Sequence, residues 1–236
     1  MRTLIYVPII HTGPDLGSMA KDVTERGIAD LGETFWKMHQ KTIDRYWEKI
    51  SSYLDSLDVL GMKIYQDGLL ANREMGQKIV EEGVKSGSKN FEIILKLLKR
   101  GAILVRTEDL MLVKKEHDMI LAIIQAKPTI KKFIAVMKYK LIKNRLLIRR
   151  DKFIAQRIKK TLNSNERGII FIGAYHKIKR KLPKDIQVKE IKDPEKVREY
   201  HKLLRSYLKN KKRFEQLARY IVSEIKDSEG LTFIEP

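Results

Sequence analysis

Arg167 to His176 reads RGIIFIGAYH: an unbroken aliphatic and aromatic run that ends on a glycine, two further residues and a histidine. Four consecutive large apolar residues with no polar alternation describe a strand covered on both faces, as strands of parallel sheets are. The same pattern stands at the other end of the chain. Arg2 to His11, RTLIYVPIIH, aligns with it without gaps at an offset of 165 residues.

Working outward from these two runs, further strands are expected at 62–66, 101–105 and 186–191, with the first at 3–9. Helical periodicity occupies a stretch within 30–57, then 72–84 and 89–99. It resumes from 108 to 163, with a break, and from 194 to 226, opened by Asp193 and Pro194. Thr107 is the expected cap of the helix after the third strand. The alternation implies an α/β fold with a mostly parallel sheet, helices on both faces and a high helix content. The expected organisation is one domain over 1–236, with the segments about 30–57, 108–163 and 194–226 packed on or inserted into the sheet.

The absence of cysteine excludes disulfides, thiolate nucleophiles and sulfur-bound zinc, so any metal must be held by His, Asp or Glu. No Walker loop, Gly-x-Ser-x-Gly elbow, Gly-x-Gly-x-x-Gly or His-Glu-x-x-His is present. A 33% charged fraction rich in Lys and Glu is the bias of proteins that work hot. No apolar window is long enough for a transmembrane segment, and a soluble, cytoplasmic protein is expected. Charge is uneven: residues 1–90 hold 12 basic and 13 acidic side chains, whereas 127–184 hold 19 basic ones against Asp151 and Glu166. Such a segment can gather a polyanion such as nucleic acid, or present a solvated lysine face.

In an open α/β sheet, ligands bind beyond the carboxyl ends of the strands. His11 and His176 both fall there, and so do Asp67 after the second strand and Glu108 after the third. Two imidazoles and a carboxylate from this set are candidate ligands of a divalent metal. Asp67 beside Gly68 reads equally as a turn residue, and Glu108 as a first-turn helix anion. Gly173 would permit close approach of backbone just before His176. Asp151 shares a helical stripe with Leu147, Ile148, Ile154, Ala155, Ile158 and Leu162, which places a carboxylate on a buried face unless a helix break makes it an N-cap. Arg149 and Arg150 are its adjacent cations and candidate anion binders. His39 and His201 stand in polar helical contexts and are expected to be exposed.

An Arg-Asp helix followed by a turn and a strand ending Gly-x-x-His resembles the erythromycin esterase/ChaN-like superfamily, in particular its TraB/PrgY and Tiki-like branches. The match rests on Arg150 and Asp151 in RRDKFIAQRI and on Gly173 to His176, with a weaker early counterpart at Pro8 to His11. Pro8 replaces the family's glycine, which points to an edge or bulge position for strand 1. The resemblance implies an α/β fold and a metal-dependent hydrolytic site in which His11, His176 and Arg150 are catalytic. The reaction expected is cleavage of an ester or amide bond in a small molecule or peptide, with a divalent ion as cofactor. The alternative is a non-enzymatic binding or regulatory protein that contacts nucleic acid or another polyanion through 127–184.

Overall fold

The computed structural model describes residues 1–15, 20–126, 130–204 and 206–225. Five strands, β1 (Arg2–Ile9), β2 (Lys63–Gln66), β3 (Ile103–Val105), β4 (Arg167–Gly173) and β5 (Ile186–Glu190), form one sheet in the order β3-β2-β4-β1-β5. Every neighbouring pair is parallel. The helices are α1 (Ala20–Leu31), α2 (Glu33–Asp55), α3 (Arg73–Lys85), α4 (Lys89–Lys99), α5 (Leu110–Gln125), α6 (Ile130–Thr161), α7 (Pro194–Leu204) and α8 (Lys211–Ile221). The fold is therefore the helix-rich, parallel α/β class that the apolar runs describe.

The two faces are covered differently. Ile5, Val7, Ile169 and Phe171 point into the larger core, where Trp47 and Ile50 of α2, Ile94 of α4, Tyr200 of α7 and Phe214 of α8 pack on the sheet. Leu4, Tyr6, Ile170 and Ile172 point the other way, onto Ile154, Ile158 and Leu162 of α6 and the turn that follows it. Each fully buried side chain of this size contributes about 1.5–3 kcal/mol of transfer free energy. Arg2, almost buried, closes the end of α6: its guanidinium donates to the Lys159 and Leu162 carbonyls at 3.1 and 3.0 Å and to the Asp185 carboxylate.

Four expectations change. Strand β1 is no edge strand but lies between β4 and β5. Pro8 is tolerated because β5 pairs only with Arg2 to Tyr6, so the side on which Pro8 lacks an N–H has no strand to meet, and its carbonyl accepts from the Tyr46 hydroxyl. The helix expected over 194–226 is divided into α7, a short 3-10 turn at Tyr207–Lys209 and α8. Asp109, not Thr107, caps α5, accepting from the Met111 and Leu112 amides. Thr107 instead ties β3 to β2 by accepting from the Gln66 amide at 3.0 Å. Finally, α1 adds a helix ahead of the one expected within 30–57, and it buries no residue.

Candidate metal centre

Three adjacent strands deliver the site. Asp67 follows β2, and its own amide donates to the Phe171 carbonyl of β4 at 2.9 Å. Gly68, at φ 80°, then turns the chain through the left-handed region that a side chain disfavours. The Thr107 and Glu108 amides both donate to the Leu69 carbonyl at 3.0 Å, which brings the end of β3 over the β2 turn. His176 follows β4, where its amide closes a turn on the Gly173 carbonyl at 3.0 Å. From the other side Arg198 of α7 donates twice to the Ala174 carbonyl, at 2.9 and 2.6 Å, pinning the same turn.

Asp67, Glu108 and His176 each offer one ligating atom, and these lie within 4.8 Å of one another. His176 Nε2 is 3.3 Å from Asp67 Oδ2, a separation that two ligands each about 2 Å from a shared ion present. Glu108 is fully buried, and its Oε2 has no hydrogen-bond partner among the described residues. A buried carboxylate oxygen left without a donor is costly, and a cation held by Glu108 would lower that cost. Two carboxylates and an imidazole form an oxygen and nitrogen set suited to a divalent ion. The residues present fit one.

The second layer is equally defined. Asp151 is buried on α6, which runs without a break through this position, so the N-cap alternative does not hold. Its Oδ1 lies 2.6 Å from His176 Nδ1, and its Oδ2 accepts the Lys177 amide at 3.0 Å. An imidazole whose Nδ1 is held by a carboxylate presents Nε2 to an ion in a fixed orientation. Arg150, one residue earlier, bonds Glu108 through Nε at 3.0 Å, Asp67 at 2.6 Å and Glu116 of α5 at 2.7 Å. Its donors face carboxylates of the protein rather than an open anion pocket. Gly173 donates to Asp67 Oδ2 at 3.1 Å; a Cβ there would stand 3.1 Å from the same oxygen.

Electrostatics follow from this packing. Burial opposes charge on His176, but Asp67 and the Asp151 hydrogen bond outweigh it and push the imidazole up to about 10. Burial likewise opposes the Asp67 carboxylate, and His176, Arg150 and the Gly173 amide together hold it well below the usual carboxylate range. Glu108 moves the other way: burial, only partly offset by Arg150, pushes it up to about 7. An ion at Nε2 would displace the proton between His176 and Asp67, so its uptake would release a proton.

The structure brings together Asp67, Glu108, Arg150, Asp151, Gly173 and His176, and leaves out two sequence candidates. His11 is exposed and is not among the clustered ligating atoms; it lines a different cavity with Trp36 and His39 of α2 and His201 of α7. Arg149 is exposed outside the cluster, beside Lys114 and Asp118 of α5. His39, expected on the surface, is buried with Nδ1 2.8 Å from the Tyr200 hydroxyl, and His201 is half-buried. Glu116 and Arg198 are the site's unforeseen members. Neither stands at a strand end, and no local pattern marks either one. Comparison with protein-family models, curated proteins and solved structures gives no match.

Proposed function

We propose that the chain is a metal-dependent hydrolase of an ester or amide bond, with Asp67, Glu108 and His176 as the ligands of one divalent ion. The observation that carries this reading is the clustering of one ligating atom each from Asp67, Glu108 and His176 within 4.8 Å, with Glu108 fully buried and its Oε2 without a hydrogen-bond partner among the described residues. Such an ion supplies a Lewis acid that polarises a carbonyl and makes water a nucleophile at neutral pH. Asp151 fixes the tautomer and ring direction of His176, and Arg150 offsets the charge of the two ligating carboxylates while no ion is bound. The resemblance of Arg150, Asp151 and Gly173 to His176 to the TraB/PrgY and Tiki-like pattern supports the same reading.

The test is metal analysis and thermal shift of the purified protein with manganese, cobalt, zinc and nickel, in wild type, Glu108→Gln and His176→Ala. One ion per chain is expected in wild type, with both variants losing it while keeping their circular dichroism. Loading must then coincide with cleavage in a screen of ester and peptide substrates. Failure of every ion to bind wild type, or full retention by His176→Ala, would overturn the reading.

A further inference from the structure

Helix α6 is 32 residues long, and its buried positions, Leu146, Asp151, Ile154, Ala155 and Ile158, begin halfway along it. The first half packs on α5, where Tyr139 donates to Glu116 at 3.3 Å. On its other side stand Ile130, Phe133, Ile134, Met137, Leu141 and Ile148, exposed by 78, 67, 58, 40, 74 and 57%. Their offsets of 3, 4, 7, 11 and 18 residues from Ile130 bring all six within about 60° of one direction at 100° per residue. They form a single apolar ridge about 27 Å long. Scattered exposed apolar residues need no explanation, but an aligned row of six large ones does.

The ridge is bordered by cations. Lys131, Lys138 and Arg145 fall on one flank of the helical wheel, and Lys140 on the other. Over its whole length α6 carries 12 basic residues and one acid, the buried Asp151. This combination selects the occupant. A second copy of the chain would set these cations against their own kind. Nucleic acid would leave the aliphatic ridge without a counterpart. A partner helix would need a groove, whereas these side chains project opposite the face that meets α5. An anionic bilayer accepts both features, burying the ridge among acyl chains while the flanking Lys and Arg reach the phosphates. No helix among the described residues is long and apolar enough to cross a membrane, so the helix would lie in the interface.

We propose that the first half of α6 docks the protein on an anionic lipid surface, with Phe133 and Leu141 inserted and the flanking lysines on the headgroups. This does not depend on the metal reading. The test is flotation of wild type and a Phe133→Ser/Leu141→Ser double variant with phosphatidylcholine vesicles, with and without phosphatidylglycerol. Both substituted side chains are exposed, so unchanged melting serves as the folding control. Wild type is expected to float only with phosphatidylglycerol, and the double variant to bind at least about tenfold more weakly. A Phe133→Trp probe should shift its emission to the blue on the same vesicles. Wild type left in the unbound fraction overturns the proposal, as does undiminished binding by the double variant, which would make the surface a general polyanion binder. A dimer in solution that the double variant abolishes would assign the ridge to a second copy and also overturn it.

Discussion

The ends of β1 and β4 look like copies, each an apolar run from arginine to histidine, yet one leads into the cluster of two carboxylates and an imidazole and the other into a separate cavity. The difference is one residue of register. The sequences align at an offset of 165, but in the sheet Thr3 pairs with Arg167 and Ile9 with Gly173, an offset of 164. Because side chains alternate, that slip turns equivalent positions to opposite faces. Tyr6 faces α6 while its sequence counterpart Phe171 faces the larger core. Beyond the strands the divergence persists: His176 meets Asp151 of α6, and His11 joins the cavity beside α2 and α7. Likeness along the chain is no guide to convergence unless the register is known.

The comparison can be broken first at Arg150. Arg150→Leu leaves Glu108 buried without its cation and Asp67 with His176 alone, and should cost about 3–5 kcal/mol in chemical denaturation. A variant as stable as wild type would show that the β2, β3 and β4 ends are not held by charge. The β1 end should answer to packing instead. Ile9→Ala, at a position 1% exposed, is expected to cost about 2–5 kcal/mol while ion affinity at the β4 end is unchanged. A fall in affinity as large as at the ligands would mean the two ends are coupled.

A pH titration sharpens the contrast. Burial holds His39 down to about 4, below its ordinary value of 6.5. Its neutral form contributes stability that is complete above about pH 6.5 and is lost as the pH falls toward 4, because only the unfolded chain takes up the proton there. The slope should reach at most about 1.4 kcal/mol per pH unit for this group. Melting temperatures from pH 8 to 4.5 for wild type and His39→Gln check it, since the variant should show a flatter decline.

Asp151→Asn should weaken ion binding by about 10- to 100-fold by loosening the orientation of His176, read by competition with a chelator. Smallest of all, His11→Ala should change stability by less than about 0.5 kcal/mol and leave ion binding intact. Loss of the ion in that variant would restore the pairing of the two histidines.

The strands were legible because each is an apolar run bounded by turn residues, and burial of Asp151 because Ile154, Ala155 and Ile158 share its stripe. Asp67, Glu108 and His176 could be nominated because strand ends in a parallel sheet point to one edge. Which ends meet depends on strand order, and β4 entering between β2 and β1 is a long-range choice that no window of sequence encodes. Tyr200 could not be foreseen as the partner of His39, because 161 residues separate them. The stripe assigned to Leu147 and Ile148 was displaced as well. Leu146 is the buried residue there, since α5 covers that side of α6 and leaves Ile148 to solvent.

Helix α6 is continuous in geometry, but its two halves are held by different amounts of structure. From Leu146 onward it lies on the sheet, and Arg2 ties down its final turn. Before Leu146 no residue is buried and α5 is the main support. Amide protons in the first half should therefore exchange with solvent through local opening, while those of the second half wait for opening of the whole sheet. One helix should show two protection levels, with the boundary about one turn ahead of Arg150.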